Sequence, residues 1–188
     1  METESAAAEA MEHLPLKMRV MAAIDESDES FYALKWALDN LFSFISSTAL
    51  PETGEKSDDL LTVVHVQEPN HHFGFPAAPG IQAYYPPSEV VDSVKRAQEQ
   101  KSAAILKKAS EMCKEKRITA KTLILDGDPK DMICKATEQI HVDLLIVGSR
   151  GLGKVKRAFL GSVSDYCAQH ARCPILIVKP PKEDSKSG

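Results

Sequence analysis

Five short apolar runs, separated by stretches with helical periodicity, constrain this chain more than any other feature. The runs are Arg19–Asp25, Leu60–Val66, Thr119–Leu125, Leu144–Val147 and Ile175–Val178. After the first, Ser27 or Ser30 is placed to cap a helix reaching about Ser46, with Leu34, Ala37, Leu38, Leu41 and Ile45 on one face. Ser88 opens a long helix that ends near Arg117. Its first half, around Lys95–Lys101, is heavily polar, and its second half carries Ile105, Ala109 and Met112. Asp128 is a good cap and Pro129 a good first residue for a third helix, ending near Ile140, with Asp131 suited to its positive end. Ser162 opens a short fourth helix to about His170. Strand and helix repeated four times, then a last strand, predicts an α/β fold. Its centre is a single doubly wound, five-stranded parallel sheet with helices on both faces. Leu60–Val66 is almost continuously apolar, as expected of a strand covered on both faces.

A length of 188 residues suits one domain with a real core. The expected boundaries are an acidic, disordered segment over 1–16, the domain over 17–181 and a charged tail over 182–188. A net charge of −4 argues against a general nucleic-acid surface. No apolar stretch approaches a membrane span. Met1–Glu12 is rich in Ala and Glu, with neither the basic start and apolar centre of a secretory signal nor the Arg/Ser bias of a transit peptide. The expected compartment is therefore the cytoplasm, with the nucleus as a second.

Cys113, Cys134, Cys167 and Cys173 form no C-x-x-C and no metal-spaced Cys/His pair, so they read as small, buried, reduced residues. His71-His72 lacks nearby ligands, and His65, inside an apolar strand, reads as a core residue. The segment Glu68–Pro87 holds five prolines and the aromatics Phe73, Phe75, Tyr84 and Tyr85. Loops of that length are usually functional or disordered. Tyr32 and Trp36 lie four apart, opposite the apolar stripe of the first helix, and need a cover: a loop, a partner or neighbouring chain.

Where the fourth run stops, Gly148-Ser149-Arg150-Gly151 begins, and Gly161-Ser162 follows after nine residues. Glycine lets the backbone come close, and helix-end N–H groups supply oriented donors, so the segment suits a phosphate. Arg150, Lys154, Lys156 and Arg157 lie within it, and no acidic residue occurs from Gly148 to Ser164. The last three either screen phosphate charge or are simply solvated. Ligands of such sheets bind beyond the carboxyl ends of the strands, where strand order reverses. Asp25 and Gly148 both lie at carboxyl ends, and flank one crevice if the first and fourth strands are neighbours. Two familiar phosphate motifs do not fit. Gly148-x4-Gly153-Lys154 resembles a Walker A loop, but Val155 stands where the magnesium-binding Ser or Thr should be. Gly151-x-Gly153 has Lys156 in place of the third small residue of a dinucleotide fingerprint.

What fits is Gly-x2-Gly-x9-Gly-Ser, as Gly148, Gly151, Gly161 and Ser162. With it come Ala22-Ala23-Ile24-Asp25, Val64-His65-Val66, Gly127-Asp128-Pro129 and Cys173-Pro174-Ile175-Leu176-Ile177-Val178, each closing or following a strand in order. In this register the chain resembles the universal stress protein family, in its ATP-binding branch, over roughly Lys17–Pro181. The text Tyr32–Asn40 is most similar to plant members. The resemblance implies a Rossmann-like domain that binds ATP or AMP, with Mg or Mn able to ride on the phosphates. It implies that Asp25 accepts hydrogen bonds from the ribose hydroxyls, where the alternative is capping the first helix. The Val66 backbone would meet the adenine edge, where the alternative is core packing. Gly148, Gly151, Gly161 and Ser162, with the Val163 and Ser164 amides, would surround the phosphates. Ala23, Ile24, Val147 and Arg150 belong to the same implied site. Relatives also often pair as homodimers, and Ile175–Val178, expected at a sheet edge, is the segment that suits this.

Three functions follow: a nucleotide-binding homodimeric regulator or sensor in stress response, with an unknown signalling partner; a slow ATP hydrolase; or a redox-regulated chaperone. No catalytic constellation supports an enzyme, so at most weak ATPase activity is expected. After the first strand the chain has Asp25-Glu26-Ser27-Asp28-Glu29-Ser30 rather than the Ser-Gly-Gly-x-Asp-Ser of adenylating relatives. The chaperone reading needs cysteines that are close together and exposed.

Overall fold

Each apolar run becomes a strand. They are β1 (Val20–Ala23), β2 (Leu61–Gln67), β3 (Ala120–Asp126), β4 (Leu144–Gly148) and β5 (Ile175–Val178). The computed structural model describes residues 18–43, 60–68, 87–150 and 160–181. The helices are α1 (Asp28–Trp36), α2 (Ser88–Glu115), α3 (Pro129–Gln139) and α4 (Ser162–His170). Strand order is β3-β2-β1-β4-β5, all parallel, so β1 and β4 are neighbours and the order reverses between them. β5 is an edge, as expected. The expected segments 1–16 and 182–188, and 69–86 within the long loop, lie outside the described residues.

Alternation along the strands builds two cores. Val20, Ala22, Leu61, Val63 and Ile146 face α1 and α2. Met21, Val64, Leu145 and Val147 face α3 and α4. Leu34, Leu61, Val64 and Leu145 are completely buried, and each such side chain stabilises the fold by about 1.5–3 kcal/mol. In α2 the sequence contrast is structural: Ile105 and Ala109 are buried and Met112 packs on the first core, while Ser88–Lys101 is almost wholly exposed.

The caps explain where helices start. Ser27, not Ser30, caps α1, its side chain accepting from the Ser30 N–H at 3.2 Å. Asp128 caps α3 by accepting from the Lys130 N–H at 2.9 Å, and Pro129 takes the first turn, where its missing N–H costs nothing. α1 is not regular to the end: it widens into a π-helical turn over Ala37–Phe42, in which Leu38 and Phe42 stay buried and Leu41 is half covered. Ile45 and the expected end near Ser46 lie outside the described residues. Tyr32 and Trp36 need no external cover, because both are half-buried against the first core. Beside them Asp39 pairs with Lys35 and Lys116, which hold its carboxyl below the usual range.

Candidate functional site

The ends of β1, β2 and β4 open into one cleft of about 900 Å³, with α2 along one side and the start of α4 along the other. From β1 and its loop come Ala23, Ile24 and Asp25. From β2 comes Val66. From β4 and beyond come Val147, Gly148 and Arg150, and from α4 come Gly161, Ser162, Val163 and Ser164. Eleven of the twelve residues singled out from sequence therefore line one cavity, although Asp25 and Gly148 are far apart along the chain. The twelfth, Gly151, lies outside the described residues, as do Lys154, Lys156 and Arg157.

The Asp25 carboxylate is held by its own loop. One oxygen, Oδ1, accepts from the Ser27 N–H at 2.9 Å and from the Ser27 hydroxyl. The Ser30 hydroxyl donates to the Asp25 carbonyl at 3.0 Å. Asp25 thus braces the entry to α1 through one oxygen and lines the cleft, while Ser27 is the cap.

Val66 shows why a strand end can read an edge with donors and acceptors. The last ladder bond between β1 and β2 runs from the Ile24 N–H to the Val64 carbonyl, at 2.9 Å. In a parallel strand, alternate residues turn both backbone groups to the same neighbour, so Val66 faces the β1 side one step past that bond. The next ladder acceptor, the Ile24 carbonyl, lies 3.0 Å from His65 Nδ1. A carbonyl can only accept, so this contact selects the tautomer protonated at Nδ1. His65 is therefore half-buried in the cleft wall rather than a core residue, a correction to its sequence reading.

At the far end, Gly161 precedes α4 and offers no side chain to cap it. The first N–H groups of the helix have no intrahelical acceptor and carry the positive end of its dipole. The turn is fixed from behind: the Ser164 hydroxyl, buried, lies 2.9 Å from the Gly161 carbonyl and 3.2 Å from the Ser149 carbonyl, and the Gly161 N–H also donates to Ser149 at 2.8 Å. Gly148 has a use that its sequence did not reveal. A Cβ there would stand 3.0 Å from the backbone C and O of Glu29 and 3.1 Å from the Ser30 N. Its bareness lets α1 sit against the end of β4.

Sequence reasoning missed the α2 wall. Gln67 donates to the Ser102 hydroxyl at 2.7 Å, Ser102 to the Gln98 carbonyl at 3.0 Å, and Gln98 to the Glu68 carbonyl at 2.7 Å. Lys101 reaches Glu26 at 2.5 Å, joining α2 to the loop after β1. The available signal was Gln67, a polar residue closing an apolar strand. No group of three or more His, Cys, Asp or Glu side chains among the described residues could hold a metal ion. The cysteines split: Cys113 is buried in the first core, with its thiol pushed up to about 11 by burial, while Cys134 and Cys167 are buried in the second. Cys173 is half-buried just before β5. Cys134 and Cys167 are close together but not exposed.

Known proteins share this fold. The profile of the universal stress protein family matches residues 18–179. The universal stress protein A-like protein of Arabidopsis thaliana is 30% identical over 178 residues, covering 90% of this chain and 94% of the relative. Among solved structures, universal stress protein UspA from Lactobacillus plantarum superposes with a TM-score of 0.61 at 19% identity, over 86% of this chain and 97% of that one. A universal stress protein family protein from Arabidopsis thaliana with AMP bound superposes with a TM-score of 0.56 at 24% identity, over 90% and 97%. With its fold, its strand ends and nearly its whole described length accounted for in this way, the chain belongs to the universal stress protein family.

Proposed function

We propose that this protein binds an adenine nucleotide, ATP or AMP, in the cleft between β1 and β4, and acts as a homodimeric regulator or sensor in stress response. The carrying observation is the convergence of an uncapped helix start, a half-engaged carboxylate and an open strand end on one cavity. A phosphate suits the first N–H groups of α4, at Ser162, Val163 and Ser164, with Gly161 leaving room for it to approach. Arg150 supplies positive charge, and Gly151 continues the loop. Asp25 presents its second oxygen to a ribose, and the Val66 backbone offers a donor and an acceptor to the base. Ala23, Ile24 and Val147 form the floor. The AMP-bound relative supports the ligand class. A Mg or Mn ion would ride on the phosphates, since the chain's own side chains form no cage for one among the described residues.

Among the described residues none is assigned as a general base in this reading, in which binding is the function and hydrolysis is at most slow. The domain spans 17–181, works in the cytoplasm and nucleus, and reports to a partner protein through a dimer joined at Ile175–Val178. The test is calorimetry with ATP and AMP on wild type and Gly161→Val, whose side chain would crowd the approach to phosphate. Wild type should bind and, with nucleotide at a hundred times Kd, gain about 2.7 kcal/mol of stability. A folded Gly161→Val protein with unchanged affinity would remove the site assignment.

A further inference from the structure

The two thiols of the second core touch. Cys134 on α3 and Cys167 on α4 bring their sulfurs to 3.9 Å, across a helix pair also joined by the Tyr166 hydroxyl donating to Asp131 at 3.1 Å. Cys134 is 8% exposed and Cys167 is 0% exposed. Cys173 packs against the same cluster. None of these groups has a part in the nucleotide reading. We propose that Cys134 and Cys167 are a dithiol that closes reversibly to an intramolecular disulfide under peroxide-class oxidants, bolting α3 to α4.

The geometry asks for little. A disulfide needs its sulfurs about 2.05 Å apart, so the pair must close by roughly 1.9 Å from its contact at 3.9 Å. Cys113 is the internal contrast: it lies on the opposite face of the sheet, in the first core, away from the other three cysteines.

The chemistry balances with hydrogen peroxide as oxidant. The Cys134 thiolate attacks one peroxide oxygen; an S–O bond forms, the O–O bond breaks, and the departing hydroxide takes a proton to become water. The Cys167 sulfur then attacks the Cys134 sulfur; an S–S bond forms, the S–O bond breaks, and the hydroxyl leaves as water with the Cys167 proton. Two thiols and one peroxide give a disulfide and two waters. Cys134 goes first because it is the more exposed. Burial raises its thiol, but a hydrogen bond from Cys167 works against that, whereas Cys167 is pushed up to about 12 by burial and by Cys134. Thiolate is scarce at neutral pH, so the pair answers sustained oxidation rather than a brief pulse. Ser164 lies one turn before Cys167 and Ile133 adjoins Cys134, and both line the cleft, so the bond would pin the wall from which α4 begins.

The test uses the full reduced chain without nucleotide, so its outcome is independent of the nucleotide reading. The protein is exposed to hydrogen peroxide, free thiols are trapped with N-ethylmaleimide, and the peptides are read by mass spectrometry. The expected result is a Cys134–Cys167 linked pair that dithiothreitol reverses. It should persist in Cys173→Ser, vanish in Cys134→Ala, and form about tenfold faster one pH unit above neutral, as the thiolate population rises. Recovery of both Cys134 and Cys167 as free thiols after exposure that oxidises Cys173 would overturn the proposal. So would a link that appears only in denaturant, or one that requires Cys173. The wild-type measurement decides alone, whatever the variants do to folding.

Discussion

Replacing Gly148 with alanine tests whether the close contact between β4 and α1 supports both the fold and the cleft. The new Cβ would meet the Glu29 carbonyl carbon and oxygen at 3.0 Å and the Ser30 N at 3.1 Å. These are backbone atoms, so no side chain can swing away, and the first turn of α1 must retreat by a few tenths of an ångström. Overpacking of this kind costs about 1–3 kcal/mol. For a domain of this size that lowers Tm by about 2–12 °C. The retreat also has a local consequence. Ser30 is bonded to the Asp25 backbone, with its hydroxyl 3.0 Å from the Asp25 carbonyl, so displacing Ser30 moves the carboxylate assigned to the ribose. Differential scanning calorimetry and titration with ATP on the same preparations should show both a lower Tm and a weaker affinity. A Gly148→Ala protein melting within about 1 °C of wild type would refute the contact argument, since even the low end of the cost predicts more. A lower Tm with wild-type affinity would separate the contact from the site.

Ile177 was the residue expected to face a partner, but its side chain packs against the second core, so Ile177→Asp would disturb the fold as well as the edge. If β5 joins two copies, light scattering on the wild type should show dimers, and a wild type monomeric at high concentration removes the dimer. The buried thiols predict alkaline weakening. Burial raises Cys113 from 9.0 to about 11 and Cys167 from 9.0 to about 12. Above pH 9 the unfolded chain releases these protons first, so the stability they carry is complete below that value and declines as pH rises through the window from 9 to 12. Urea titrations across that range should show the decline, with a shallower slope in Cys113→Ala; equal slopes would contradict the burial argument.

Strands were the most legible part of the chain. Every expected strand is present, with bounds shifted by a residue or two; the central β1, β2 and β4 are legible because a covered strand is a short, nearly unbroken apolar run, whereas β3, at the edge, is largely exposed. The meeting of Asp25 with Gly148 followed from the reversal rule for parallel sheets, not from any local signal. Side-chain direction was less accessible. The exposed half of α2 carries no apolar stripe strong enough to show that Gln98, Lys101 and Ser102 face the cleft, because packing against β2 decides it. Tyr32 and Trp36 lie beside the apolar stripe of α1 rather than on it, and both pack against the margin of the core. Gly148 was read as a point of close approach to a phosphate, and the structure puts the backbone of α1 against it. The separation of Cys134 and Cys167 depends on how two helices pack, which no pattern along one chain encodes.

The reversal of strand order between β1 and β4 also sets a schedule. During synthesis Asp25 and Val66 emerge early, but Gly148 and the start of α4 come more than a hundred residues after Asp25. At ribosomal rates of about 5–20 residues per second, Asp25 waits roughly 6–25 s for Gly148. No fragment ending before β4 owns the cleft, so a ligand held there favours only chains that have reached their last third. In the proposed reading, occupancy then reports that a chain has been made as far as α4 as well as that nucleotide is plentiful, and a product truncated before β4 gains no protection from it.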